Sequence, residues 1–425
     1  MSPARPDSPL PTIVLHARDA RRVAAGHPWV FDSAVASESL GIEDGAIVRV
    51  EDASHRLLGV GPFNSKSRIR VRLLAREIVA IDAAFFERRI REALTLRMRF
   101  MPEATSYRVV NSESDFLSGL IVDRYEDVLV LQIASLGLDR RKPAIVEALE
   151  KVFAPRAILE RSDGASRRFE GLELANGLLA GSLGGERSGQ GGSTGEGSDP
   201  DLNRLEVRLS GLRFEVDLEA GHKTGLYLDQ QLNYQAVSGF AQDARVLDCF
   251  SFLGGFGLHA ARAGARHVRM LDQSKDAVAA SLRNAEVNGF ADRCEAEVAN
   301  VFDWLKAKSR GDARVDERYD LIVLDPPSFT RSRSSVPDAL RGYKEIHLRA
   351  LRLLAPGGVL ATFCCSHHVD TKTFQDVIQA AAADARVVLR RVASYSQAPD
   401  HPVVPVIPET EYLKGFAFEV VDASR

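Results

Sequence analysis

The stretch from Arg245 to Asp272, RVLDCFSFLGGFGLHAARAGARHVRMLD, leaves this chain few folds to choose from. Arg245 to Cys249 is a short apolar run with an acid near its end, as expected of a buried strand. Gly254, Gly255 and Gly257 then predict a loop so tight that only small residues would form it. Leu258 to Ala263 reads as a helix, Gly264 stops it, and His267 to Leu271 is a second strand ending in Asp272. Strand, glycine loop, helix and strand make the first half of a parallel, doubly wound sheet. Ligands of such sheets sit at the carboxyl ends of the strands, where Asp248 and Asp272 fall.

Gly255-Phe-Gly257-Leu-His-Ala260 has the spacing of a dinucleotide fingerprint, but a lone match of that kind is weak. Asp248 argues against it. A dinucleotide loop cradles a pyrophosphate on backbone N–H groups, and a carboxylate beside it would repel that anion. S-adenosylmethionine has a sulfonium, an ammonium and a ribose but no phosphate, so acids suit it. Asp272 would then accept from the ribose hydroxyls, as the acid after the second strand does in dinucleotide folds.

At 425 residues the chain is too long for one ordinary domain. With 45% apolar and 27% charged residues, it can build large cores. A net charge of -3 gives no global basic field, so a nucleic acid would be met by local patches. Four cysteines without a CxxC pair are no disulfide framework and imply a reducing cytoplasm. The proline-rich start, MSPARPDSPLP, lacks a signal-peptide core, and no apolar run approaches a membrane span. No residue cluster suggests a metal.

Residues 1–78 read as a small β-rich domain, with strands near Ala46 to Val50, Leu57 to Val60 and Ile69 to Leu74. On the last, Arg68, Arg70 and Arg72 alternate with Ile69, Val71 and Leu73, and Lys66 leads in. Alternation puts the arginines on one face, which suits either a phosphate backbone or a solvated sheet. Trp29 and Phe31, near Arg21 and Arg22, are expected in the core. Residues 79–183 read as a small α+β module with helices over Ala83 to Arg99 and Lys142 to Phe153. Residues 184–203 are Gly/Ser-rich and expected to be a flexible linker. Residues 204–425 open with a hairpin over Leu205 to Val216, then alternate strands and helices around the Arg245 to Asp272 unit.

Two further strand ends carry chemistry. Tyr319 to Leu324 ends in Asp325-Pro-Pro-Ser-Phe329. Its prolines fix φ and remove two N–H donors, leaving a rigid lip beside which a planar base could lie. Val359 to Phe363 ends in Cys364-Cys365-Ser366. Alternation sends the two thiols to opposite sides, so at most one faces the cleft; the other reading is two buried strand cysteines. A cleft thiol could be a nucleophile. Carbon 5 of cytosine is a poor nucleophile until a thiolate adds at carbon 6, and Asp325 could then stabilise the ring at its N3 edge.

GHKTGLYLDQ (221 to 230), LDCFSFLGGFG (247 to 257), LDPPSF (324 to 329), RGYKEI (341 to 346), TFCCS (362 to 366) and DHPV…EYLKGFA (400 to 417) resemble the bacterial 23S ribosomal RNA cytosine-5 methyltransferases. GHPWVF near the start resembles that family's PUA RNA-binding domain. The resemblance implies a class I methyltransferase domain with a Rossmann-like sheet, an N-terminal β-barrel PUA domain and a central α+β module, often as a homodimer. It implies S-adenosylmethionine as donor and large-subunit ribosomal RNA as partner. By position, Cys365 matches the nucleophile and Asp325 the acid of the DPP motif. Asp248, Phe250, Gly254 and Gly257 line the cofactor loop, and Asp272 takes the ribose. Tyr227 and Gln230 belong to the segment that closes over the cofactor.

Three positions depart from the family pattern: Cys364 stands where Ser is usual, His367 where Gly is usual, and Asn300 where an Asp often contacts the adenine. Arg331, Arg333, Arg341 and Lys344, after the DPP lip, favour RNA over a free nucleoside. The nearest rival is an amine methyltransferase acting on an exocyclic base nitrogen, with Phe329 stacking the base and no need of a thiol. An NAD-dependent oxidoreductase and a non-enzymatic RNA scaffold explain less; the scaffold leaves the acid, glycine loop and acid without a purpose.

Overall fold

The computed structural model describes residues 10–183, 204–217, 225–310, 318–330 and 332–421. The chain divides into two compact units. One comprises Met1–Leu205, Asp217–Leu228 and Pro399–Thr410; the other comprises Glu206–Val216, Asp229–Ala398 and Glu411–Arg425. Segments 1–78 and 79–183 thus share one unit. The expected linker at 184–203 lies outside the described residues.

The first unit opens with β1 (Thr12–Leu15), α1 (Ala17–Ala24), β2 (Trp29–Phe31), β3 (Val35–Glu38), β4 (Ile47–Glu51), β5 (Leu57–Pro62) and β6 (Ile69–Arg72). They form a four-stranded sheet, β3-β1-β4-β5, and a two-stranded sheet, β2-β6, around a core that includes Ile13, Val30, Val50 and Val71. The expectation for Trp29 and Phe31 is corrected here. Both are half-buried and the core residue is Val30 between them. Trp29 instead uses its indole N–H, which lies 3.0 Å from Glu113 Oε1 and 3.1 Å from Ser118 Oγ.

Next come α2 (Ala83–Phe100), β7 (Ser106–Asn111), β8 (Leu120–Tyr125), β9 (Val128–Ile133), α3 (Leu136–Asp139), α4 (Lys142–Phe153), β10 (Ala157–Ser162) and β11 (Ala175–Gly181). The five strands make one sheet in the order β11-β10-β9-β8-β7. Asp82 caps α2 by accepting from the Phe85 N–H at 2.9 Å. Fully buried Arg97 pairs bidentately with Asp115 at 2.5 and 2.7 Å and donates to the Asp400 carbonyl at 2.7 Å. Removing one partner strands a buried charge. Asp115→Ala is therefore expected to destabilise this unit by about 3–5 kcal/mol, read by chemical denaturation.

The second unit begins at Glu206, within the two-stranded sheet of β12 (Arg204–Leu209) and β13 (Leu212–Asp217) that was expected, and goes on to α5 (Gln231–Ser238). It continues through β14 (Arg245–Cys249), α6 (Gly255–Arg262), β15 (His267–Asp272), α7 (Lys275–Val287), β16 (Cys294–Val298), α8 (Val301–Lys308) and β17 (Tyr319–Leu324). Then follow α9 (Val336–Leu353), β18 (Leu354–Cys364), α10 (Thr371–Ala385), β19 (Val388–Ser396) and β20 (Lys414–Val421). The sheet order is β16-β15-β14-β17-β18-β20-β19. Pairing is parallel from β16 to β18 and antiparallel for β20 and β19. The strand core VLDC and LIVL is apolar almost throughout because helices cover both faces of a parallel sheet.

Candidate active site

The chain builds β14, β15 and β16 outward in one direction, then crosses back to lay β17 on the other side of β14. That reversal is a topological switch point, and the crevice opens at the carboxyl ends of β14 and β17. Cys249 lies opposite Leu324 across these strands and opposite Leu271 across β14 and β15. The acids Asp248, Asp325 and Asp272 therefore collect at one edge of the sheet. Asp325 and Asp272 both act electrostatically on Asp248.

Asp248 is almost fully buried. Its Oδ2 accepts from the Gly257 N–H at 2.8 Å, while Oδ1 is buried without a hydrogen-bond partner. Burial, reinforced by the charges of Asp325 and Asp272, pushes its pKa up to about 8 against the opposing Gly257 hydrogen bond. Asp272 is half-buried and holds the loop from both oxygens, accepting from the Phe252 N–H at 3.0 Å and the Ser274 N–H at 2.9 Å. Each oxygen keeps a lone pair for a further donor.

The glycines act differently from expectation. Helix α6 starts at Gly255 and not Leu258, so Gly255 and Gly257 lie in its first turn and Gly254 alone takes the left-handed position, at φ +87°. The tight part of the loop falls on Phe250 (φ 63°) and Phe252 (φ 48°), left-handed residues with side chains. Such positions cost about 1–3 kcal/mol each and are held by their surroundings, here the Ser251 and Phe252 N–H bonds to β15. Gly255 and Gly257 are required by packing instead. A Cβ on Gly257 would lie 2.9 Å from Met270, and one on Gly255 would lie 2.6 Å from the Tyr234 ring. Tyr234 is wedged edge-on against Phe256 with centroids 4.7 Å apart and cannot retreat cheaply. Gly255→Ala is expected to cost about 1–3 kcal/mol, read as a lower melting temperature.

At the end of β18 the two thiols part. Cys364 is fully buried in the core that α9 and α10 lay on the sheet, whereas Cys365, one residue past the strand, is half-exposed. The expectation that at most one faces the crevice holds. The DPP lip and the cysteine loop are tied together. Ser328 Oγ and buried Ser366 Oγ share a hydrogen bond at 2.8 Å, and the Tyr343 hydroxyl lies 3.3 Å from the same Ser366 oxygen. Asp325 is half-buried, with its N–H 3.5 Å from the Cys249 carbonyl. Phe329 does not stand clear as a stacking platform. It is half-buried, its ring 4.6 Å from Tyr343 and 5.5 Å from Phe302.

Of the other candidates, Phe250 is half-buried with its ring 6.4 Å from Phe302. Asn300 is exposed and caps α8, its Oδ1 accepting from Phe302 N–H at 3.0 Å and Asp303 N–H at 3.3 Å; that leaves its amide N–H₂ to donate. Gln230 is buried and accepts from Asn233 at 2.7 Å, so it orders the start of α5. Tyr227 falls in the first unit and is half-buried, and residues 221–224 of its motif lie outside the described residues. His367 is exposed, its ring 5.7 Å from that of Tyr412.

The basic candidates divide. Lys66 and Arg68 are exposed, and Arg70 is half-buried over the Phe63 ring at 5.7 Å. Arg72 is committed elsewhere. It pairs with Glu170 at 2.9 Å and Glu113 at 3.5 Å and lies over Trp29, so the strand does not present one uniform basic face. Arg341 is exposed and pairs with Asp338, and Lys344 pairs with Asp384 at 2.8 Å. Arg333 is exposed, and Arg331 lies outside the described residues.

Sequence reasoning missed three residues that shape the site. Asn284, buried on α7, donates to the Leu253 carbonyl at 3.1 Å and so braces the glycine loop. Ser366 joins the DPP lip to the cysteine loop, and Lys414 enters beside the cysteines. A polar residue at a helix position of apolar spacing was the available signal for Asn284.

Comparisons with known proteins bear on the domains and the fold. Residues 13–76 match a PUA-like domain, and residues 193–413 match an S-adenosylmethionine-dependent methyltransferase domain. The fold matches a crystal structure of a protein assigned as a methyltransferase, complexed with SAH, with a TM-score of 0.77 and 20% identity over 96% of this chain and 100% of that one. A Streptococcus mutans protein assigned as a SAM-dependent methyltransferase gives 0.76 and 20% over the same shares. Fold and matched domains define a class I S-adenosylmethionine-dependent methyltransferase with an N-terminal PUA-like domain. Two relatives narrow this further. Ribosomal RNA large subunit methyltransferase I of Klebsiella pneumoniae is 38% identical over 98% of this chain and 100% of its own length. The protein of the same name from Cronobacter sakazakii is 38% identical over 93% and 96%. The chain belongs to the ribosomal RNA large subunit methyltransferase I family.

The residues present fit that cofactor. A buried carboxyl with an orphaned oxygen suits a cationic partner, and the acid-lined crevice would repel a pyrophosphate. No helix among the described residues is long and apolar enough to cross a membrane, and none of their His, Cys, Asp and Glu side chains cluster to hold a metal ion.

Proposed function

We propose that the protein transfers the methyl group of S-adenosylmethionine to carbon 5 of a cytosine in large-subunit ribosomal RNA, through a covalent bond to Cys365. The observation that carries this reading is the divergence of the two thiols. Cys364 is spent in the core, and Cys365 emerges on the loop tied by Ser366 to the DPP lip that bears Asp325.

S-adenosylmethionine supplies an electrophilic methyl on a sulfonium. Asp248 and Asp272 would hold it, the first facing its cationic end and the second its ribose, with Asn300 donating toward the adenine. Cys365, as thiolate, bonds to carbon 6 of the ring, and the displaced π pair gathers at carbon 5. Asp325, as its carboxylic acid, would stabilise that charge by donating to N3. Carbon 5, now nucleophilic, would take the methyl, the broken C–S bond pair staying on sulfur in S-adenosylhomocysteine. A base then takes the carbon-5 proton, and the C–H pair re-forms the carbon 5–carbon 6 double bond and expels the Cys365 thiolate. Lys66 and Arg68 of the PUA-like domain would meet the RNA backbone, and a ribosomal RNA substrate would be met in the cytoplasm.

Labelled S-adenosylmethionine and unmodified large-subunit RNA, followed by nucleoside mass spectrometry, test this. Labelled 5-methylcytidine is the expected product. A labelled N-methyl nucleoside would move the enzyme to the amine class.

A further inference from the structure

Lys414 opens β20 and stands directly across from Cys364 of β18. The register is rigid there. A Cβ on the neighbouring Gly415 would lie 2.4 Å from the Phe363 ring, so the two strands are pressed together. The Lys414 ammonium donates to two backbone carbonyls, Ser366 at 2.8 Å and Val369 at 2.6 Å. These carbonyls bracket the turn that follows Cys365. The cation therefore clamps the loop that carries the thiol, the same loop that Ser366 ties to the DPP lip.

Ser366 and Val369 are buried loop residues, and burying an ammonium beside them costs free energy. Burial pulls the Lys414 pKa down, and the neighbouring Cys364 and Cys365 sulfurs, with Glu411 and Asp370, oppose that pull. Other titratable groups face the same place. Tyr343 from α9 is held neutral, pushed far up by burial and the two cysteines. Asp370 at the head of α10 and Glu411 ahead of β20 are acids that oppose a thiolate. His367 and His368 share the loop but are exposed, and Lys372 on α10 is exposed and paired with Asp376. Lys414 is the half-buried cation among them.

We propose that Lys414 is a positioning residue for Cys365, fixing the thiol's loop and stabilising its thiolate both as attacking and as leaving group. The proposal rests on the reading of Cys365 as nucleophile.

The test is the pH dependence of Cys365 alkylation by iodoacetamide, read on the Cys365 peptide by mass spectrometry in the full chain. The wild-type midpoint is expected below the ordinary thiol value of about 8.5. Lys414→Met, whose side chain keeps the apolar stem, is expected to raise it by about one unit, and Lys414→Arg to keep it near wild type. Methyl transfer at neutral pH should fall about tenfold in Lys414→Met, with KM for S-adenosylmethionine unchanged. A folded Lys414→Met whose alkylation profile superposes on wild type overturns the proposal. So does a wild-type midpoint at or above about 8.5, which needs no variant and does not depend on folding of one. A Cys365→Ala protein that still methylates RNA overturns the nucleophile reading by itself, and the alkylation midpoint decides the role of the lysine by itself.

Discussion

Cys365→Ala is expected to slow methyl transfer by more than about a thousandfold while S-adenosylmethionine still binds. The alanine leaves the glycine loop and its acids untouched and removes the atom that, on the proposed covalent route, makes carbon 5 nucleophilic. Single-turnover transfer from labelled cofactor, beside calorimetric binding, separates the two effects. Cys364→Ala supplies the contrast. Its thiol packs in the core among residues such as Tyr343 and Phe374, so truncation leaves a small cavity. It is expected to lower stability by about 1 kcal/mol and to leave the chemistry intact. Activity lost in Cys364→Ala and kept in Cys365→Ala would exchange the roles.

Cofactor affinity is expected to rise with pH up to about 8. Below that value Asp248 holds a proton in the apo protein, because its carboxyl is buried beside Asp325 and Asp272 with one oxygen unpaired. A cationic ligand favours the carboxylate, lowers its pKa and displaces the proton. Binding therefore strengthens by at most about tenfold for each pH unit below the titration. The rise ends near 8, where the cofactor's own α-amino group begins to deprotonate. Calorimetry in two buffers of different ionisation enthalpy should detect close to one proton released at neutral pH. Asp248→Asn mimics the protonated acid and should bind more weakly with no proton release. A buffer-independent enthalpy in the wild type would contradict this account of Asp248. Stability of the apo protein should run the opposite way. Since the folded pKa is raised, the contribution of Asp248 is complete below the unfolded carboxyl range of about 4 and is lost as pH rises through about 8.

Much of this was legible in the sequence because the sheet is buried on both faces. Arg245–Cys249 and Tyr319–Leu324 are continuous apolar runs punctuated by acids, and both strands appear with the expected bounds. The Lys142–Phe153 helix, with apolar periodicity and a proline near its start, was equally plain. The misses have physical causes. Helix α1 is arginine-rich and buries only Ala20 and Val23, so little apolar pattern marks it. The loop after β14 places left-handed turns on Phe250 and Phe252, which no propensity favours; only contacts with β15 hold them. Arginine alternation along β6 was read correctly as geometry. It could not reveal that Glu113 and Glu170, distant in sequence, claim Arg72. Lys414 likewise gains its meaning from a strand that arrives last in the chain and pairs beside Cys364.

The covalent route is tested most directly with large-subunit RNA transcribed with 5-fluorocytidine in place of cytidine. Fluorine at carbon 5 leaves no proton to remove, so the methylated ring stays bonded to the enzyme. After nuclease and protease digestion, the Cys365 peptide is expected to carry a fluoro-methyl-cytidine nucleotide, formed only when S-adenosylmethionine is present. Methyl transfer to the fluorinated RNA with no adduct on Cys365 would contradict the covalent mechanism and favour methylation of an exocyclic nitrogen.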